Sequence, residues 1–260
     1  HKVHIKSDSV SIEQGLEIFQ TQTELYPQLE SILYSMLPGF KDVWNYLENL
    51  KRPDNDDYAY NHVSIKDLLE VKDFDSSSYN LPNDLQFYIK VVDIEMGANS
   101  TYEGVWHIEG MPQEHIVATG IYYLDFPDFE TDIQFKREAQ RDEHNWIYYN
   151  ISENTKKYEF NNFYMPLGKH RVKSNSVLVF PNTHAHKVQP FSNETDDIVH
   201  RQLVVFFMVD PEITLPDRST VIADLVCDSS ISPDILKENM ENRMKYKGTM
   251  NAREINFCEH

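Results

Sequence analysis

The chain is poor in cysteine, in basic residues and in long apolar runs, and each shortage argues against a class of protein. Among its 260 residues are two cysteines, Cys227 and Cys258, too few for a disulfide framework and in no zinc-binding spacing. It has no apolar run long enough to span a bilayer, and HKVHIKSDS at the start has no apolar stretch of the signal-peptide kind. We therefore expect a soluble intracellular protein, cytoplasmic or nuclear, without a membrane partner.

Basic residues number 24 against 42 acidic ones, which gives a formal net charge of -18. This balance disfavours nucleic-acid binding and an anionic membrane face, because both reward clustered Lys and Arg. P-loop, GxGxxG and GxSxG motifs are absent, so nucleotide hydrolysis, a Rossmann cofactor and serine hydrolysis lose support. The expected partner is an unidentified substrate, either a small molecule or a protein side chain.

Apolar residues near helical spacing predict helices in the first fifty residues. Pro27 is expected to split this stretch and Pro38-Gly39 to end it, with a further short helix over VWNYLENL. The polar segment 51–61 is the best linker candidate, and a short helix capped by Ser64 is expected after it.

From Leu85 onward, short β-branched and aromatic runs separated by turn residues replace the helical pattern. These runs are LQFYIKVVDIEM, GVWHIEG, HIVATGIYYLDF, TDIQFK, NWIYY, SVLVFPN, HKVQPF and RQLVVFFMVD. Short strands without intervening helices indicate a β-sandwich or barrel. The segment VVFFMV is apolar on both faces, so we expect the N-terminal helices to cover its outer side.

The predicted fold class is α+β, a double-stranded β-helix (a jelly-roll or cupin-like barrel) wrapped by N- and C-terminal helices. A helical region over residues 1–84 packs on the barrel, the barrel core occupies residues 85–215, and a helical extension occupies residues 216–260. In that extension, a helix is expected from the Ser232-Pro233 cap signal to Gly248.

His107 and Glu109 are the first candidate site residues, because side chains two apart on a strand point to the same face. Such pairs also arise by chance in a chain with 11 histidines and 42 acidic residues. Downstream, an apolar run ends in a turn that is followed by His184 and His186. Either histidine would complete a set of two histidines and one carboxylate, which holds a metal ion and leaves positions open for a cosubstrate and dioxygen.

Arg201 opens the run RQLVVFFMVD, and strand alternation places it on the same face as Leu203. A guanidinium inside a barrel requires an anion, and Arg pairs with carboxylates in bidentate geometry. The anion is either a protein Asp or Glu or the distal carboxylate of 2-oxoglutarate.

The order H-x-[DE], distal His, then Arg resembles the Fe(II)/2-oxoglutarate-dependent dioxygenases. More closely, GVWHIEGMPQEHIVATGIYYLD, SVLVFPNTHAHKV and HRQLVVFFMVDP resemble the DUF4246 family, over about Leu85 to Pro211. The resemblance implies that His107, Glu109 and His186 bind Fe(II) and that Arg201 binds 2-oxoglutarate. It selects His186 over His184, because the family motif places its distal His directly before a basic-Val pair.

Two positions depart from the dioxygenase pattern. Leu203 stands where many members have Ser or Thr, so a second contact to 2-oxoglutarate comes from elsewhere, and Glu109 stands where most have Asp. The implied function is hydroxylation of an unidentified substrate, with decarboxylation of 2-oxoglutarate to succinate and CO2. The alternatives are a cupin-like metalloenzyme that does not use 2-oxoglutarate and a non-catalytic interaction module on the same fold.

Overall fold

The structure is a computed structural model, and it describes only part of the chain. The described residues are 1–13, 23–50, 80–111, 114–124, 131–138, 164–216 and 256–257. Four predicted features lie outside them, namely the linker 51–61, the helix capped by Ser64, the strand NWIYY and the helix ending at Gly248. Within the described ranges, no helix combines the length and the apolarity needed to cross a membrane.

Thirteen β-strands and one α-helix form the regular structure of the described residues, with a 3-10 turn at Thr23–Leu25. The helix is α1, Tyr26–Leu50. The strands are β1 Lys2–Ile5, β2 Val10–Ile12, β3 Asp84–Met96, β4 Thr101–Tyr102, β5 His107–Ile108, β6 Ile116–Tyr123, β7 Asp132–Glu138, β8 Tyr164–Arg171, β9 Ser176–Pro181, β10 His184–Val188, β11 Phe191–Ser192, β12 Val199–Val209 and β13 Asn256–Phe257.

The larger sheet has six strands in the order β2-β1-β3-β12-β6-β9, and its neighbours pair antiparallel. β12 pairs with β3 from Val199 to Met208 and with β6 from Leu203 onward. β12 therefore lies inside the sheet, as its apolar sequence requires.

The smaller sheet has five strands in the order β13-β5-β10-β7-β8. β10 pairs antiparallel with both β5 and β7, so that His186 stands opposite His107 on one side and Phe135 on the other. β4 and β11 form a separate two-stranded ribbon in which Phe191 faces Tyr102. The smaller sheet thus places two of the predicted site residues side by side.

Helix α1 runs without interruption through Pro38. The prediction that Pro38-Gly39 ends the helix is therefore wrong, and so is the predicted split at Pro27, which lies in the first turn, where a missing N–H costs little. Pro38 removes one hydrogen bond inside the helix, but the burial of one helix face outweighs that loss. The buried residues recur at helical spacing: Leu29, Leu33, Met36, Phe40, Val43 and Trp44.

Two apolar clusters lie on opposite faces of the larger sheet. One joins alternate residues of β12, including Val204 and Phe206, to the buried face of α1. Gly120 of β6 makes this approach possible, because a Cβ there would stand 2.6 Å from Cζ of Phe40. The other cluster joins Val205 and Phe207 to residues of both sheets. The prediction that an N-terminal helix covers the outer side of VVFFMV is confirmed.

The prediction of a sheet-rich fold is confirmed, and the two sheets do not close into a single barrel among the described strands. The prediction of helix at the N-terminus is wrong for β1 and β2, where the alternate burial of Val10 and Ile12 fits a strand. The sequence pattern does not predict β8, because Pro166, Gly168 and a run of basic residues interrupt it.

Candidate metal centre

Two strands bring His107 and His186 together. They are direct partners in the antiparallel pairing of β5 with β10, and their ring centroids lie 4.2 Å apart. The ring of His186 also packs on Phe180, 4.7 Å away, and on Phe135, 6.2 Å away. The more buried histidine is thereby fixed by two aromatic rings, while the His107 side chain keeps 25% of its surface exposed.

Glu109 completes the group from one residue beyond the end of β5. Its Oε1 atom lies 3.6 Å from Nε2 of His107 and 3.3 Å from Nε2 of His186. The ligand atoms of the three side chains all lie within 4.8 Å of one another. Metal–ligand bonds of about 2.1 Å at right angles place neighbouring donors roughly 3 Å apart, so the two Glu–His distances suit a shared ion.

The backbone fixes which ring nitrogen of each histidine faces Glu109. Nδ1 of His107 donates to the carbonyl of Val105 at 2.8 Å, and Nδ1 of His186 donates to the carbonyl of His184 at 3.4 Å. A carbonyl only accepts, so the proton of each neutral ring lies on Nδ1 and the lone pair of each Nε2 points toward the carboxylate. Support of this kind orients histidines that bind metals.

The ligand atoms of the group suit a cation. Burial lowers the pKa of His186, although Glu109 acts in the opposite direction, so this imidazole tends to stay neutral. The Nε2 atom of His186 then faces the Glu109 carboxylate with its lone pair. One proton would remove the repulsion between one pair of ligand atoms, whereas a metal ion between the three atoms would attract all of them. The donor set therefore fits a divalent metal ion.

His184 stands beside this group and outside it. Its Nε2 lies 3.4 Å from the Tyr46 hydroxyl of α1, and the two rings are 5.7 Å apart. Burial, together with the charge of Arg137, lowers the pKa of His184 to about 4. Its contact with α1 makes it a neighbour of the site and not a member of the three-residue cluster.

Arg201 is buried on the inner face of the larger sheet, with 2% of its surface exposed. Its guanidinium carbon lies 4.8 Å from the ring centroid of Phe191 and 5.5 Å from that of Tyr123. Burial lowers the pKa of Arg201 and raises that of Tyr123 to about 12. Tyr123 also belongs to the cluster that contains Phe180, so Arg201 and His186 border the same apolar core.

One residue at this site escapes sequence reasoning. Asn182, in the turn between β9 and β10, hydrogen bonds through its side chain to the backbone of Glu109. The available signal is an Asn in a turn next to His184, and turns use Asn for many reasons. The partner of Asn182 lies 73 residues away in the chain, which no local pattern shows.

The described residues define a sheet-rich protein with a candidate metal centre of two histidines and one glutamate. The chain belongs to the DUF4246 family of proteins of unknown function, which matches residues 44–223 and so covers more than half of its length. The match includes His107, Glu109, His186 and Arg201. No curated protein and no solved structure matches the chain.

Proposed function

We propose that this protein is an Fe(II)- and 2-oxoglutarate-dependent oxygenase that hydroxylates a substrate C–H bond. The observation that carries the proposal is the convergence of two imidazole nitrogens and one carboxylate oxygen within 4.8 Å. This donor set holds non-haem iron(II) on one side and leaves the other coordination positions open. The three residues that would hold the ion are His107, Glu109 and His186.

The winding of the strands supports a jelly-roll of the double-stranded β-helix type. From β3 onward the chain passes back and forth between the sheets, with β3, β6, β9 and β12 in the larger and β5, β7, β8 and β10 in the smaller, where β7 and β8 pair as consecutive strands. These eight strands lie in the orders β3-β12-β6-β9 and β5-β10-β7-β8. Jelly-roll and cupin folds consist of eight strands in two sheets.

Arg201 would bind the distal carboxylate of 2-oxoglutarate. Its guanidinium lies among aromatic rings on the inner face, in a low-dielectric setting where a charge-assisted bidentate pair is strong. Leu203, two residues on, has no hydroxyl to assist it. The hydroxyl of Tyr123 is a candidate second contact, because this ring already lies against the guanidinium.

Bound iron would supply the oxidation with dioxygen as the oxidant: one oxygen atom would enter the substrate C–H bond, and the other would enter succinate as 2-oxoglutarate loses CO2. The protein would orient the reactants and exclude water. His186 and Glu109 lie deep, with side-chain exposures of 3% and 8%, whereas His107 is 25% exposed. Substrate would therefore approach from the side of His107.

The test is formation of succinate from 2-oxoglutarate by purified protein under air, with iron and ascorbate and without added substrate. We expect turnover by the wild type and none by His107→Ala or His186→Ala. His200→Ala is the matched control, because His200 is a half-exposed surface residue bonded to Asp93. That variant should retain both metal content and turnover.

Each other outcome has a definite meaning. Bound metal without binding or turnover of 2-oxoglutarate would exclude the proposed oxygenase and leave the cupin-like metalloenzyme. Equal metal content in the wild type and His107→Ala would overturn the ligand assignment. Absence of metal in protein purified without chelators, and no uptake of added Fe(II), would favour the interaction module.

A further inference from the structure

Asn182 makes four hydrogen bonds, two to Glu109 and two to the first residues of β6. Its Oδ1 accepts the Glu109 N–H at 2.8 Å, and its Nδ2 donates to the Glu109 carbonyl at 2.7 Å. The same Nδ2 donates to the carbonyl of Ile116 at 3.0 Å, and the Asn182 backbone N–H donates to Val117 at 2.9 Å. One residue thus connects the turn before β10 with both ends of the loop between β5 and β6.

The two bonds to Glu109 take the place of a missing strand pair. β5 ends at Ile108, so Glu109 lies beyond the pairing that fixes His107 opposite His186. Asn182 engages both the N–H and the carbonyl of Glu109, as a partner residue in an antiparallel ladder does. The amide side chain is needed, because it offers an acceptor and two donor hydrogens on one planar group.

The chain turns sharply directly after Glu109. Gly110 has a φ of 70°, and a Cβ there would stand 2.5 Å from Cδ1 of Ile116. The backbone of Glu109 is therefore held between this turn and the Asn182 amide. Since Asn182 also precedes the strand that carries His186, it joins the two parts of the cluster that come from distant parts of the sequence.

We propose that Asn182 is a positioning residue for the metal centre, setting the Glu109 carboxylate at its distance from His186. The inference rests on the metal site of the proposed function and does not depend on 2-oxoglutarate. Groups that orient metal ligands typically contribute about 10- to 100-fold to metal affinity. An Asn182 variant should weaken metal binding although Asn182 is not itself a ligand.

The test uses Asn182→Asp, which has nearly the same shape but no side-chain donor. The carboxylate would still accept the Glu109 N–H, while its second oxygen would face two carbonyl oxygens. We expect cobalt(II) affinity to fall about 10- to 100-fold and the visible absorption of the bound cobalt to change. If this variant does not fold, Asn182→Ser, which retains one hydroxyl donor and acceptor, should show a smaller loss in the same direction.

Asn193→Asp is the matched control, because Asn193 is equally engaged and lies outside the cluster. Its Nδ2 donates to carbonyls of Gly97 and Asp197, and its Oδ1 accepts from Thr195. Asn193 is fully buried and Asn182 is partly buried, so the same substitution at Asn193 should cost at least as much stability in urea unfolding. Its cobalt affinity and cobalt spectrum should match those of the wild type.

The outcomes test the role of Asn182 and the metal site separately. If Asn182→Asp lost stability as Asn193→Asp did but kept the cobalt affinity and spectrum of the wild type, Asn182 would be structural and the inference wrong. If His107→Ala also bound cobalt as the wild type does, the metal site itself would be wrong. Loss of cobalt in His107→Ala with partial loss in Asn182→Asp supports both.

Discussion

The two sheets differ in how their outer faces are closed. On the larger sheet, α1 covers the outer side of β12, which is buried on both faces from Val204 to Val209. On the smaller sheet, strand alternation turns Asp132 outward, where it pairs with Lys169 and Arg171, both well exposed. One outer face is thus packed against an apolar helix face, whereas the other carries a group of charged side chains among its described residues.

This difference decides where chemistry can be placed. Buried on both faces, β12 needs apolar residues at nearly every position, and Arg201 stands near its start, before the fully buried part. β10 mixes polar and apolar residues, and its His186 points inward beside the outward, partly buried Lys187. The candidate metal ligands come from the smaller sheet and the residue directly after β5, while the larger sheet contributes apolar side chains that face them.

The largest effect is expected from two neighbouring substitutions on opposite faces of β12. Phe206→Ala and Phe207→Ala each remove a buried ring, and each should lower the free energy of unfolding by about 3–5 kcal/mol. Phe207 shares its cluster with Phe180, which supports His186, so Phe207→Ala should also weaken cobalt binding severalfold. Phe206→Ala should not. Urea unfolding measures the free energy of unfolding, and titration measures cobalt affinity. Equal cobalt affinities in the two variants would mean that the inner face of β12 does not support the metal site more than the outer face does.

The next largest effect is expected from Arg201, the charged residue on the inner face of the larger sheet. Arg201→Met should weaken 2-oxoglutarate binding by roughly 10- to 150-fold, since a hydrogen bond to a charged group contributes about 1.5–3 kcal/mol. Calorimetry of the metal-loaded protein measures this, and cobalt affinity should not change. Arg171→Met is the matched control on the charged outer face. A similar loss in both variants would mean that Arg201 has no specific role.

The sequence allowed most strands to be predicted, but not how the helix and the edges of the sheets are arranged. Short β-branched and aromatic runs predict β3, β6, β9 and β12, because their composition is a local property of the chain. Helix α1 continues through Pro38 because its packing on the sheet outweighs the local penalty. β1 is short and polar on one face, and its pairing with residues 84–86 is visible only in three dimensions.

The residues of the candidate site also differ in whether a local sequence signal predicts them. Spacing marks His107 and Glu109 as candidates, and strand position marks Arg201, whereas the family resemblance is needed to select His186 over His184. The structure adds their separations and burial. The support from Asn182 and the contact of His184 with Tyr46 could not be predicted, because each joins residues more than seventy positions apart. Patterns report which side chains share a face, and tertiary packing decides what holds them there.

A smaller effect is expected at the charged outer face of the smaller sheet. The hydrogen bond from Lys169, with the charge of Arg171, holds the pKa of Asp132 below its ordinary value of 3.8, against the effect of burial. The stabilisation is therefore present above pH 3.8 and is lost as pH falls through the lowered pKa. Asp132→Asn should cost about 1 kcal/mol at pH 7, because both cations are solvent-screened. Unfolding curves of both proteins should converge in acid, and a constant difference would point to packing.

The smallest effect is expected from His4 near the edge of the larger sheet, where stability should depend on pH in the opposite direction. His4 of β1 bonds through Nδ1 to Asp84 at 2.6 Å and through Nε2 to Glu13 at 2.9 Å, and these bonds raise its pKa above 6.5. The protonated ring stabilises the fold fully below pH 6.5, and this contribution disappears as pH rises through the raised pKa. His4→Gln should therefore lower the melting temperature at pH 5.5 and leave it nearly unchanged at pH 9. A difference that grew with pH would show that the neutral ring, and not its charge, holds β1 to β3.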